Sequence, residues 1–127
     1  MILYIRNIYI TNTYVFILVY MSGYVYLIHD EERGLFKIGV TKNAVENRLK
    51  KLQTGNASLL TVKDQYLTEY IYRMETMLHK YFEDKKVLNE WFELTDEDVQ
   101  HFSDTCDKFE NIIHSLLSNP FFVKNLH

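Results

Sequence analysis

Glu75 and His79 are the residues whose types and spacing point most directly to metal chemistry. They stand four positions apart in a segment with helical periodicity, which places both side chains on one face of a helix. One carboxylate can hold Mg²⁺ or Mn²⁺ when waters and a substrate phosphate complete the octahedron. His79 would add a softer ligand or an acid–base group. The spacing equally fits a surface Glu–His pair that only stabilises the helix, so both interpretations stay open here.

A second set of candidate residues lies on two predicted strands and the basic segment after them. Alternation along a strand places Tyr24 and Tyr26 on one side of the first strand, and Lys37 and Gly39 on one side of the second. Because Gly39 has no side chain, a phosphate or a nucleic-acid backbone could approach it closely. Arg48 in the basic segment can bind a phosphate through two parallel hydrogen bonds. This set is compatible with phosphate binding, and a tyrosine-rich, half-buried sheet beside a solvated basic helix is the alternative.

Charge is distributed unevenly along the chain, although the net charge is only −3. Residues 33–63 contain seven basic residues and one acid, a net charge of +6, and residues 83–110 contain three basic residues and ten acids, a net charge of −7. This polarity predicts one face for a polyanion, with Lys50 and Lys51 extending a phosphate track that does not read bases. Two solvated surfaces of opposite charge are the alternative interpretation of this polarity.

The elements that must position these side chains are predicted from hydrophobic patterning after Ser22. Alternating β-branched and aromatic residues indicate strands, and the turn at 30–34 joins the first two strands as a hairpin. Helical spacing indicates a helix with caps at 41–43 and a stop at Gly55, a second helix, and a long third helix opened by the capping box at 95–98. The pattern predicts strands at 23–29, 35–40, 59–67 and 90–94, and later helices at 69–81 and from 95 to the Asn119-Pro120 stop.

These elements predict a small α/β domain in the order β-β-α-β-α-β, with an antiparallel hairpin and sheet flanked by helices, plus a C-terminal helix. A chain of 127 residues has the length of one domain, and one Pro, four Gly and 47% hydrophobic residues exclude a disordered or collagen-like protein.

Cys106 is the only cysteine, which excludes an internal disulfide framework and a multi-cysteine zinc site. We expect an intracellular protein.

Residues 1–20 differ from the rest of the chain. They are rich in Ile, Tyr and Val, but Arg6, Asn7 and Asn12 interrupt the apolar run that a membrane helix needs. We interpret residues 1–20 as an upstream extension, with a membrane anchor or an added edge strand as alternatives. The predicted domain then spans 21–94, and 95–127 form a C-terminal helix and tail packed on the same domain.

Several short motifs together resemble the GIY-YIG nuclease superfamily, in particular its branch encoded by phages and large viruses, in which the second motif reads KIG. The resemblance covers Ser22 to about Leu94, and it depends on the order and spacing of the motifs. Lys37 occupies the position of the second-motif tyrosine. The motifs are Ser22-Gly23-Tyr24-Val25-Tyr26-Leu27-Ile28, Phe36-Lys37-Ile38-Gly39, Arg48-Leu49, Glu75 and Glu90-Trp91-Phe92.

The resemblance implies a metal-dependent endonuclease that hydrolyses phosphodiester bonds of nucleic acid. Tyr26 would match the first-motif tyrosine, Arg48 the phosphate-binding arginine, and Glu75 the carboxylate that holds one Mg²⁺ or Mn²⁺. Either Tyr26 or Lys37 could activate the attacking water by accepting its proton. A lysine can do so when burial lowers its pKa enough for the amine to be uncharged. We expect Glu90-Trp91-Phe92 to fix the last strand to the core.

The expected partner is nucleic acid, DNA rather than RNA, with no small-molecule cofactor and no membrane. A non-catalytic nucleic-acid-binding or regulatory module that keeps the fold is the alternative function. The endonuclease and the non-catalytic module differ in what they need from Glu75, because a catalyst needs this carboxylate to bind metal and a binding module does not.

Overall fold

A computed structural model describes residues 22–123 of the chain. The proposed extension at 1–20 lies outside these residues. Within the described residues, no helix combines the length and the apolar character that crossing a membrane requires.

Five strands of the described chain form one antiparallel sheet in the order β3-β1-β2-β5-β4. The first two strands form the predicted hairpin, and Gly34 in its turn has the positive φ of 70° that glycine adopts without strain. Strand β5 is short, so β2 has a strand partner on that side only at Phe36 and Lys37. The strands are β1 (Gly23–Asp30), β2 (Leu35–Thr41), β3 (Leu60–Thr68), β4 (Lys86–Leu88) and β5 (Trp91–Phe92).

Helices cover both faces of this sheet. On one face, apolar residues of β1, β2 and β5 pack against Met74 and Leu78 of α2 and Phe102 of α4. On the other face, Tyr26 and Ile28 of β1 pack with Val45 of α1. The helices are α1 (Val45–Thr54), α2 (Ile71–Tyr81), α3 (Asp96–Gln100), α4 (Phe102–Leu117) and α5 (Pro120–Val123).

The predicted small α/β fold is confirmed, and the structure adds one strand to the predicted order. Strand β4 was not predicted because all three of its residues are exposed, so it lacks the alternation of buried and exposed positions that marks a strand in sequence. It pairs with β5 to form a short hairpin at the edge of the sheet.

Two predicted helix boundaries are wrong. The first helix has Ala44 as its N-cap and no side-chain cap, because the Thr41 hydroxyl accepts a hydrogen bond from the Asn43 amide within the preceding turn. The capping box of Thr95 and Asp98 is present, but it opens the five-residue α3 rather than one long helix. A break at His101 separates α3 from α4. Since the apolar spacing continues through this position, periodicity could not predict the break.

Asp30 ties the hairpin turn to the loop between α1 and β3. Its side chain is fully buried, and it accepts hydrogen bonds from the amides of Glu32 and Arg33 and from the Ser58 hydroxyl at 2.7 Å. Burial by itself would raise the pKa of Asp30, but these hydrogen bonds and the nearby Arg33 charge outweigh it and hold the pKa below its ordinary value. The carboxylate therefore stabilises the fold at neutral pH, and this contribution is lost as the pH falls through the lowered pKa.

Replacing Asp30 with Ala is expected to lower the free energy of unfolding by about 2–4 kcal/mol, because two amides and a buried hydroxyl lose their acceptor. Urea unfolding at pH 7 measures this loss. The exposed neighbour supplies a matched control, since Glu32→Ala should change the unfolding free energy by less than about 0.5 kcal/mol. Equal effects of the two substitutions would show that the buried network contributes nothing.

Candidate metal and phosphate site at the edge of strand β2

Helix α2 places Glu75 and His79 beside the part of β2 that β5 leaves without a strand partner. Met74 and Leu78 anchor the helix in the core, which turns the neighbouring Glu75 and His79 toward this gap. The Nε2 atom of His79 lies 2.9 Å from the Ile38 carbonyl oxygen. Because a carbonyl can only accept, Nε2 donates the proton, and the lone pair of Nδ1 is left for a metal ion or a proton.

Glu90 joins this pair from the turn between β4 and β5. Asn89 has a φ of 52°, a conformation that asparagine adopts more readily than most residues, and it reverses the chain so that Glu90 faces α2. The Glu90 carbonyl accepts a hydrogen bond of 3.1 Å from the Ile38 amide. One potential ligand atom from each of Glu75, His79 and Glu90 lies within 4.8 Å of the others. These three side chains form the carboxylate–histidine cluster.

The two carboxylates of this cluster have opposite pKa shifts. Partial burial and the adjacent charge of Glu90 raise the pKa of Glu75. Burial would also raise the pKa of Glu90, but a hydrogen bond from Lys37 and its positive charge outweigh burial and lower it. Of these two facing carboxyl groups, Glu75 is the one that more readily keeps a proton.

Tyr26 and Arg48 form the adjoining part of the site. The Tyr26 side chain is only 1% exposed, and Arg48 Nε donates a hydrogen bond of 3.4 Å to its hydroxyl oxygen. This hydrogen bond raises the pKa of Arg48, and the charge of Glu90 adds to the effect. Gly39 lies opposite Tyr26 in the hairpin, and a β-carbon there would come within 2.6 Å of the Tyr26 ring. The close approach that Gly39 permits here is that of the tyrosine.

Glu90 connects the two parts of the site. It accepts a hydrogen bond from Lys37, lies close to Glu75 and His79, and interacts electrostatically with Arg48. Of the residues predicted from sequence, the structure thus brings five together: Tyr26, Lys37, Arg48, Glu75 and His79. Gly39 lies beneath Tyr26.

Lys50 and Lys51 are exposed and stand apart from this cluster. At 100° per residue, Lys51 lies about 60° around α1 from Arg48, whereas Lys50 lies about 160° away. A phosphate track that starts at Arg48 can therefore continue to Lys51, and Lys50 faces a different direction.

Sequence reasoning missed Glu90 as a functional residue and assigned its motif to packing. Phe92 does lie fully buried in the core, and Trp91 packs on the opposite face of the sheet. The signal that could have identified Glu90 is its charge. Packing of the two large apolar residues that follow it partly buries the carboxylate, which then needs a positively charged or hydrogen-bonding partner. That partner is Lys37, 53 residues earlier in the chain.

Comparison with known protein families gives one match across most of the described chain. The model of the T5orf172 domain matches residues 23–107, which include every residue of the site. Neither curated proteins nor solved structures gave a match. The T5orf172 domain is a phage-associated domain related to nuclease folds, in agreement with the coarser part of the resemblance seen in the sequence. Since the match covers more than half of the sequence, the chain belongs to the T5orf172 domain family.

Proposed function

We propose that this protein is a GIY-YIG-type endonuclease that uses one Mg²⁺ or Mn²⁺ ion to hydrolyse phosphodiester bonds, in DNA rather than RNA. The observation that carries the proposal is the convergence of the carboxylate–histidine cluster with the Arg48–Tyr26 pair at one edge of β2. Membership in a family associated with nuclease-like proteins supports it. The excess of basic residues at 33–63 supports a polyanionic substrate.

The donor set of the cluster fits a divalent metal ion. Glu75 and Glu90 supply carboxylate oxygens and His79 supplies an imidazole nitrogen, a set that suits Mg²⁺ through its oxygens and Mn²⁺ through both atom types. The raised pKa of Glu75 means that this carboxyl group holds a proton more tightly than an isolated one would. A divalent cation can take the place of that proton. When bound, it would neutralise charge that develops on the phosphodiester.

Arg48 and Tyr26 have separate roles in the proposed reaction. Arg48 binds a non-bridging phosphate oxygen, and its charge stabilises the transition state more than the ground state. Tyr26 is assigned the role of the base that accepts a proton from the attacking water, because its hydroxyl oxygen lies next to the phosphate-binding Arg48. The water oxygen bonds to phosphorus as the opposite P–O bond breaks, and solvent protonates the leaving oxygen.

Lys37 is assigned a positioning role rather than that of the base. Its side chain is largely buried and donates a hydrogen bond to Glu90. An ammonium that donates to a carboxylate has no lone pair with which to accept a proton from water. Lys37 therefore holds Glu90 in the cluster and brings a positive charge close to both carboxylates.

Cleavage of supercoiled plasmid tests the proposed function. The full chain is expected to convert the plasmid to nicked and linear forms with Mg²⁺ or Mn²⁺ and to have no activity with EDTA. A Glu75→Gln variant purified in parallel controls for contaminating nuclease. Binding of the plasmid without cleavage under either metal would contradict the proposal and favour the non-catalytic module.

A further inference from the structure

An open cleft leads from the carboxylate–histidine cluster toward the β4–β5 hairpin. Helix α2 contributes one wall through Glu75, Thr76 and His79, and the hairpin contributes the other through Lys86, Asn89 and Glu90. Of these lining residues, Lys86 alone carries a permanent positive charge. The cleft thus extends the proposed catalytic site onto a strand that the sequence did not predict.

Lys86 differs from neighbouring lysines in having no carboxylate partner among residues 22–123. Lys85 pairs with Asp98 at 2.5 Å, Lys80 pairs with Glu83 at 3.0 Å, and Lys37 pairs with Glu90. The ammonium of Lys86 lies 5.8 Å from the centre of the Phe92 ring, which supports the side chain against the sheet. Its charge is therefore held at the cleft and is available to an anion from outside the chain.

The position of Lys86 complements that of Arg48. Lys86 stands opposite Phe92 in the β4–β5 pair, so its side chain lies on the sheet face that α2 covers. Arg48 lies on α1, which packs on the other face. Glu90 of the carboxylate–histidine cluster links the two faces, since it lies close to Glu75 and His79 of α2 and accepts a hydrogen bond from Lys37, whose strand neighbour Trp91 packs on the α1 face. A nucleic-acid strand that crosses from one face to the other can place one phosphate at Arg48 and a neighbouring phosphate at Lys86.

We propose that Lys86 binds a phosphate that flanks the scissile one, and that the β4–β5 hairpin forms the second wall of the nucleic-acid channel. This inference rests on the proposed function for the location of the scissile phosphate. Lys86 is a positioning residue: it fixes the path of the backbone, reads no base, and contributes charge to binding rather than to the chemical step.

Removing one phosphate contact has a defined effect on the salt dependence of binding. Lys86→Met is expected to weaken binding of a DNA duplex about three- to tenfold at 100 mM KCl, and to reduce the slope of log K against log[KCl] by about 0.9. Lys86→Arg should keep the slope of the unmodified protein. Fluorescence anisotropy between 50 and 300 mM KCl, with EDTA to prevent cleavage, measures these quantities.

Lys80→Met is the matched control for this experiment. It removes the same charge from an exposed lysine that already pairs with Glu83, and it lies about 140° around α2 from Glu75. Its salt slope should equal that of the unmodified protein. A Lys86→Met slope equal to that of Lys80→Met would overturn the inference, as would a lack of any duplex binding by the unmodified protein.

Single-turnover cleavage at saturating DNA separates this inference from the proposed function. Lys86→Met should keep the rate of the chemical step and require more DNA to reach it. If the unmodified protein binds DNA but never cleaves it, the proposed function fails, whereas a reduced Lys86→Met slope still supports the phosphate contact. If the protein cleaves and Lys86→Met instead slows the step at saturating DNA with an unchanged salt slope, the positioning role is wrong.

Discussion

Glu75→Gln is expected to reduce metal-dependent cleavage by about 10³-fold or more, with binding of DNA unchanged or tighter. The substitution removes a carboxylate from the carboxylate–histidine cluster and therefore weakens the metal site. It also removes a negative charge that repels phosphate. Plasmid cleavage and duplex binding, measured on the same preparation, separate these two effects.

The stability of this variant shows whether the loss is chemical or structural. Glutamine is uncharged and close in size to glutamate, and it resembles the protonated form that the raised pKa of Glu75 favours. A raised pKa means that the metal-free fold is stabilised by this group at low pH, and that the contribution is lost as the pH rises through the raised value. Glu75→Gln should therefore keep or raise the melting temperature at neutral pH, by up to about 4 °C.

Glu93→Gln is the matched control for Glu75→Gln. It makes the same change at an exposed carboxylate next to the core strand β5, outside the cluster. It should leave cleavage within about twofold of the unmodified protein, as expected for a surface substitution. Full activity of Glu75→Gln, or an equal loss in Glu93→Gln, would remove the metal role assigned to Glu75.

Tyr26→Phe is expected to lower the turnover rate by about 10²–10⁴-fold, the usual range for loss of a general base. Phenylalanine fills the same buried space over Gly39, so the fold should persist while the hydroxyl that receives the Arg48 hydrogen bond is lost. The rising limb of the pH–rate profile should disappear in this variant, because the group that must lose its proton is absent. Quenched single-turnover assays between pH 6 and 10 measure both the loss of rate and the loss of the rising limb.

Lys37→Met distinguishes the two candidate bases. With Tyr26 as the base, Lys37→Met should keep the rising limb of the pH–rate profile. The metal concentration that gives the half-maximal rate should change, because Glu90 loses the hydrogen bond from Lys37. Loss of the limb in Lys37→Met, together with a mild effect of Tyr26→Phe, would identify Lys37 as the base. A limb that moves when Mn²⁺ replaces Mg²⁺ and is unchanged in Tyr26→Phe would assign the proton loss to the metal site.

Local sequence pattern determined the elements that carry the site. Period-two alternation predicted the hairpin and the side of its own strand on which Tyr26 and Lys37 each lie. The register of β1 and β2 then places both residues on the same face of the sheet. Helical spacing placed Glu75 and His79 on one face of a helix whose apolar face is buried. These features were predictable because they depend on which face of a single element is buried.

The tertiary structure alone decided how the side chains meet. Strand β4 is exposed along its whole length, so it left no hydrophobic pattern to detect. Glu90 reaches Glu75, His79 and Lys37 only because β5 is too short to cover β2 beyond Lys37. Such contacts depend on where two elements end relative to each other, across 11 to 53 residues of sequence. Periodicity encodes the burial of a face, and it contains no information about which charged groups meet at the uncovered edge of a strand.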